Sequence, residues 1–281
     1  MILFFGDVHG NFEHVTQLVK NYRPAAIILL GDIEAHQSLE KELERVLSLT
    51  EVFWIHGNHD TDSIENYNNL FSSTLVDRNL HGRVVEIDGV KVAGLGGVFR
   101  ESSWYPRDDL NVDPLHDNYD KLIKAHYDKK RVIRNIESDK DSIAYGMQYK
   151  KKSYDLSRQD LANKTLAGNE LKHKSTIFYD DWLKLSTQRA DILVTHEAPS
   201  CHPYGFIGID ALARALRVKS SFHGHMHDRL DYSDQFKKLS FNAYGVGFCG
   251  VSDQEGNLIS PGDFDEHFNR LHLINKRSRD K

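Results

Sequence analysis

Five apolar runs of strand length punctuate the chain, and each stops at a glycine or a polar residue: ILFF before Gly6-Asp7, AAIILL before Gly31-Asp32, VFWIH before Gly57-Asn58, DILV before Thr195-His196, and SSF before His223. Runs without polar alternation suit strands covered on both faces, because successive side chains point to opposite sides of a sheet. Helical patterns separate the first three: NFEHVTQLVKNY at 11–22, with Val15, Leu18, Val19 and Tyr22 at helical spacing, and QSLEKELERVLSL at 37–49. The order β-α-β-α-β predicts an α/β fold. In residues 83–95, two alternating runs flank Asp88-Gly89, the signature of a hairpin. The stretch 238–259 reads as further strands joined by glycine-rich turns, so the predicted sheets are mixed rather than purely parallel. Segment 100–190 has no comparable run, and we expect a largely helical insertion or cap within a single domain spanning 1–281.

Composition narrows this picture. A chain of 281 residues is long enough to bury one large core. The apolar opening, MILFF, is too short for a signal peptide or a membrane span, and two cysteines, Cys201 and Cys249, cannot form a disulfide framework. A cytoplasmic protein without a membrane partner is expected. The net charge of −5 conceals an asymmetry: segment 121–174 holds 14 Lys/Arg against 7 Asp/Glu. Within it, YDKKRVIRN and YKKKSY interleave aromatic with cationic residues, a pattern that fits a nucleotide or nucleic-acid partner.

The polar residues that end the runs carry the chemistry. At an extended strand end Asp7 and His9, two apart, project to one side and can converge on one ion. Asp32 follows the second strand, where a carboxylate can use both oxygens to bridge two cations. GNHD (57–60) adds an amide oxygen at Asn58 and an imidazole at His59; THE (195–197) and HGHMH (223–227) add imidazoles at two further strand ends. Mixed nitrogen and oxygen donors without a thiolate pair point to Mn²⁺, Fe or Zn²⁺ rather than a structural zinc site.

Taken together, GDVHG, GDIE, GNHD, THEAP and GHMH resemble the five signature blocks of the calcineurin-like binuclear metallophosphoesterases, D-x-H, GD, GNH(D/E), H and GHxH. The resemblance spans residues 6 to 227. It implies two mixed β-sheets packed as a sandwich and flanked by helices, with loops after the strands building the site. By the same resemblance Asp7, His9, Asp32 and His227 would hold one divalent ion and Asp32, Asn58, His196 and His225 a second, Mn²⁺ being the first choice and Fe or Zn²⁺ the others. His59 matches the catalytic, non-ligand histidine beside the phosphate, and His223 has no family role and is expected to pack or cap. The implied reaction is hydrolysis of a phosphate ester by attack of a metal-bridging hydroxide, with monoester, diester and nucleotide substrates all open. Protein Ser/Thr phosphatases read GDxxDRG and GNHE where this chain has GDIEAHQ and GNHD, which counts against that subclass. An inactive binding scaffold would lack ligands or His59, and all are present. Asn58 and Arg100, directly after GGVF, are expected to bind substrate, with Arg107 nearby, because guanidinium groups meet phosphate oxygens bidentately.

Overall fold

All five runs form strands in the computed structural model, which describes residues 1–128 and 168–265. They are β1 (Ile2–Phe5), β2 (Ala26–Leu30) and β3 (Glu51–Ile55), then β6 (Ile192–Thr195) and β7 (Ser220–His223), with β4 (Arg83–Ile87) and β5 (Val90–Leu95) supplied by the expected hairpin. Asp88 and Gly89 take φ of 49° and 75°, as a two-residue primed turn requires. The C-terminal stretch adds β8 (Asn242–Gly245), β9 (Val251–Asp253) and β10 (Leu258–Ser260).

The strands form two five-stranded sheets, ordered β10-β9-β1-β2-β3 and β4-β5-β6-β7-β8. β1, β2 and β3 run parallel, as do β5, β6, β7 and β8, and antiparallel β9, β10 and β4 make both sheets mixed. Strand alternation explains why the runs are apolar throughout. Ile2, Phe4, Ile28, Leu30, Phe53 and Ile55 face Val92, Val194 and Phe222 of the other sheet. Leu3, Phe5, Ile27, Leu29 and Trp54 face a helical layer through Val15, Val19, Leu39 and Leu70. The second sheet's outer face packs on Trp182, Leu185, Ile209, Leu212 and Leu216. The result is the predicted sandwich flanked by helices: α1 (Glu13–Tyr22), α2 (Leu39–Glu42) and α3 (Ile64–Phe71) on one side, α4 (Tyr179–Ser186) and α5 (Ile207–Leu216) on the other.

Phe4 and Phe222 stack across the sandwich, 4.0 Å between centroids at 14°. Both are fully buried. Truncating Phe222 to Ala leaves a cavity between two sheets that cannot collapse independently, and is expected to cost about 3–5 kcal/mol. Denaturant unfolding of metal-loaded protein measures it; a loss below about 1 kcal/mol would mean that the sheets close over the gap.

Two expectations need amendment. The pattern at 37–49 keeps its buried stripe, Leu39, Leu43 and Val46, but only four residues are regular helix. Beyond Glu42 the backbone alternates between three- and four-residue hydrogen bonds, Val46 N to Leu43 O and Leu47 N to Leu43 O. In segment 100–190, residues 101–118 are irregular and 119–128 helical, while α4 lies in the outer layer beside α5. Most of the expected insertion and of the basic segment, residues 129–167, lies outside the described residues. No described helix is long and apolar enough to cross a membrane.

Candidate metal centre

The polar strand ends meet along the C-terminal edges of the parallel strands of both sheets, where α/β proteins place their ligands. Asp7 and His9 do converge, though not on an extended strand: β1 stops at Phe5, and a left-handed turn with His9 at φ 40° brings the imidazole round. That turn is pinned by His9 N to Asp32 O (3.0 Å) and Gly10 N to Ile33 O (2.9 Å). Asp32, Glu34, His225 and His227 also sit at positive φ, between 44° and 65°. Such backbone is held against its own cost by the surrounding structure and clusters at functional sites. Glycines admit the close approach: a Cβ at Gly57 would collide with Asp32 Oδ1, and one at Gly224 with Asp7 Oδ1.

Six of the predicted residues are thereby gathered into two adjoining groups. Donor atoms of Asp7, His9, Asp32 and His227 all lie within 4.8 Å of one another, as do those of Asp32, His196 and His225. Asp32 belongs to both. His227 Nε2 stands 3.3 Å from Asp7 Oδ2 and 3.3 Å from His9 Nε2, and His196 Nε2 is 3.2 Å from Asp32 Oδ2. Second partners fix the imidazole faces. His9 Nδ1 is bonded to the Glu34 carboxylate and His196 Nδ1 donates to Leu30 O at 2.8 Å, so each ring turns a bare Nε2 to the centre.

These donors fit cations. Asp7 Oδ1, Asp32 Oδ2, Asn58 Oδ1 and His196 Nε2 are buried and lack any hydrogen-bond partner, which is costly unless something satisfies them. His196 Nε2 and Asp32 Oδ2 stand 3.2 Å apart without hydrogen-bond geometry. Asn58 Oδ1 is one of these unpartnered atoms, while His59 contributes no atom to either group.

A family model for calcineurin-like phosphoesterase matches residues 1–229. The chain belongs to this family. Membership makes this phosphoesterase a phosphate-ester hydrolase, and agrees with the two Asp/His groups as sites for divalent ions. An uncharacterized protein of Haemophilus influenzae is 35% identical over 260 residues, 92% of this chain and 96% of its own. Among solved structures, TT1561 of Thermus thermophilus aligns at 13% identity and a TM-score of 0.49, over 93% of this chain and 97% of that one.

Around the phosphoesterase's metal groups stand residues that sequence reasoning missed. Asp60, fully buried, accepts from Ile33 N, Glu34 N and Gly57 N (2.8, 2.9 and 2.8 Å), tying the loop after β2 to the loop after β3. It was visible only as the last letter of GNHD. Glu34, in the left-handed loop after β2, holds His9 Nδ1 in the way outer carboxylates orient metal-binding histidines. Asp62 Oδ2 holds His59 Nδ1 at 2.6 Å; its offset of three residues suits the single 3₁₀ turn His59–Thr61. Glu197, buried, accepts Phe99 N at 3.1 Å and anchors the segment bearing Arg100. Phe248 stacks on His9 and edges onto His227, each at 5.0 Å. His223 packs as expected, its ring nitrogens meeting Gly224 O and the Tyr232 hydroxyl.

The electrostatics of the metal-free phosphoesterase give a pH dependence. Burial, opposed by the His196 charge and reinforced by Asp32, pushes the Asp7 carboxyl up to about 8. Burial disfavours the His196 imidazolium, but the nearby Asp32 and Asp7 carboxylates prevail and raise it to about 10. Both stabilising contributions are full below the groups' unfolded values and are lost as pH rises through the folded ones. His225, which burial and the His196 charge hold down to about 3, acts in the opposite sense but only below its ordinary 6.5. Chelated protein should therefore melt at progressively lower temperature from about pH 6.5 to pH 9, and Asp7→Asn should flatten that decline. A melting temperature unchanged across the window in chelated wild type would contradict it.

Proposed function

We propose that the chain hydrolyses phosphate esters with two divalent ions, Mn²⁺ first and Fe or Zn²⁺ next, one held by Asp7, His9, Asp32 and His227 and the other by Asp32, Asn58, His196 and His225. One observation carries this reading: buried atoms left without partners occur in both groups, among them Oδ2 of the carboxylate that the groups share. Ions bound there supply a nucleophile near neutral pH and neutralise charge on the phosphoryl group. The chain's own contributions are distinct. At His59 burial is outweighed by the Asp62 hydrogen bond and by the carboxylates of Asp32, Asp62 and Glu34, which raise the imidazole above its ordinary value and favour its protonated form. With Nδ1 held by Asp62, its Nε2 is the nitrogen that can give a proton to the leaving oxygen. Arg100, half-buried on the wall of the same cleft as Asn58, meets phosphate oxygens. A cytoplasmic setting and approach of a nucleotide or nucleic acid over the basic segment 121–174 belong to this proposal.

The test is a matched assay on 4-nitrophenyl phosphate and bis(4-nitrophenyl) phosphate, with metal content determined on the same sample. We expect two equivalents of metal per chain and hydrolysis of at least one ester, abolished by chelation and restored by Mn²⁺. Two bound equivalents with neither ester hydrolysed would favour the inactive scaffold.

A further inference from the structure

We propose that the cleft beside the metal centre takes a nucleotide carrying a second phosphate next to the scissile phosphoryl group, with Arg100, Arg107 and Lys172 meeting that phosphate and Tyr105, Tyr204 and Phe206 the base. This deepens the phosphoesterase reading and rests on it.

The cleft has a volume of about 790 Å³, within the usual range for small-molecule sites. It is lined by Asn58 and His225, by Arg100, Arg107 and Lys172, and by Tyr204 and Phe206. None of the three cations forms a salt bridge with a described residue. The polar contacts of the Arg100 guanidinium are the Thr176 and Ser175 hydroxyls, both at 3.2 Å, and that of Arg107 is the Pro203 carbonyl at 3.4 Å. Asp62 and Glu197 also line the cleft, but Asp62 holds His59 and Glu197 accepts Phe99 N, so a second anionic group would meet cations that no described carboxylate pairs.

The position of that second group is fixed by buried hydroxyls. Arg100 donates to Ser175 Oγ, which lies 2.7 Å from Thr61 Oγ1, and Thr61 Oγ1 donates to Asn58 O at 3.1 Å. The guanidinium is thus connected to the residue that closes the second metal group by two side chains that cannot swing independently. An anion on Arg100 sits beside the phosphoryl site rather than at a variable distance from it. A phosphate joined directly to the scissile one meets that constraint, whereas a distant charge on a peptide does not.

The lining also holds aromatic rings. Tyr105 stands edge-on to Phe206 at 5.0 Å, and Phe206 leans on Phe99 at 4.8 Å. Tyr204 is 67% exposed, yet its turn is rigid, closed by Gly205 N to His202 O at 2.9 Å. An exposed ring on a fixed turn at the mouth of a charged cleft offers a stacking face to a planar base.

Metal-loaded protein is titrated calorimetrically with α,β-methylene-ADP, AMP and inorganic pyrophosphate, with 4-nitrophenyl phosphate hydrolysis followed in parallel. The analogue should bind at least about tenfold more tightly than AMP, which lacks the second phosphate, and than pyrophosphate, which lacks the ring. Arg100→Ala and Arg107→Ala should remove most of the preference over AMP, with a smaller loss on 4-nitrophenyl phosphate. Tyr204→Ala should weaken the analogue and leave pyrophosphate unchanged. Arg100 is half-buried, so thermal unfolding accompanies each variant, and Lys172→Ala, at an exposed position, repeats the test without risk to the fold. Equal affinity for AMP and the analogue, or equal losses on every ligand in the cationic variants, overturns the second-phosphate site. Pyrophosphate bound as tightly as the analogue overturns the base site. The preceding reading fails separately, when loaded protein hydrolyses no ester whatever it binds.

Discussion

Asp32→Asn is expected to lower the occupancy of both metal sites and cut turnover by on the order of 10³-fold or more. Asp32 is the one residue common to both donor groups, buried, with Oδ2 unpartnered and turned to the centre. Its other oxygen is already engaged, accepting His59 N at 2.8 Å. An Asn side chain keeps the shape and can keep that hydrogen bond, but it replaces a carboxylate shared by two dications with a neutral amide. Metal ions in such sites contribute several kcal/mol of transition-state charge stabilisation, and each ~1.4 kcal/mol is tenfold in rate. Elemental analysis alongside hydrolysis of a nitrophenyl ester gives the answer. Two retained equivalents at a normal rate would reject the bridging role; loss of one ion alone would mean that Asp32 serves one site.

The residues that could be found from sequence and those that could not differ in a physical way. Asp7, Asp32, Asn58, His196, His225 and His227 follow apolar runs, and the end of a buried parallel strand is where a chain can expose a polar atom to a common edge. Local pattern therefore carried both the strands and the donors. Asp60 and Glu34 stand in the same short loops, but what they do depends on a neighbouring loop: Asp60 gathers amides from residues 33, 34 and 57, and Glu34 reaches His9 across the gap between two strands. Nothing in local periodicity encodes such a meeting. Arg100 was legible as a cation after a glycine-rich strand end, yet its support, Ser175 and Thr176, lies some 75 residues away. The helix expected at 37–49 shows the converse limit. Apolar residues at helical spacing specify which face is buried, and Leu39, Leu43 and Val46 are buried, but they tolerate mixed turn types that keep the same face inward.

The strained backbone links these observations to function. His9, Asp32, His225 and His227 occupy the left-handed region in loops whose hydrogen bonds interlock: His9 N to Asp32 O, His59 N to Asp32 Oδ1, His225 N to Asp7 Oδ2 at 2.7 Å. Each loop is thus held by a donor residue of another. Carboxylates that bind ions also take backbone amides, so the centre is organised before metal arrives, at the expense of the pH-sensitive strain in the chelated protein.

Replacing His59 with Ala or Asn should leave both ions bound and lower turnover by roughly 10² to 10⁴, the range for losing a positioned general acid. Its side chain offers no atom to either metal group, and the interaction that joins it to Asp32 runs through its backbone amide, which either replacement retains. What is removed is an imidazole held by Asp62 and set 5.6 Å from the His9 ring. If its task is to protonate the leaving oxygen, the loss must depend on the ester. A nitrophenolate departs without a proton, whereas an alkoxide needs one, so the defect should be largest on an alkyl phosphate and shrink on a nitrophenyl phosphate at saturating metal. Asp62→Asn should give a smaller defect with the same dependence, because the amide still holds the ring but no longer stabilises its charge. Equal losses on both esters would assign His59 to positioning the phosphate. Glu34, His59 and Asp62 also approach one another closely enough to hold an ion between them, and this alternative makes a different forecast: metal content would fall in the His59 variants, and the role as an acid would be overturned.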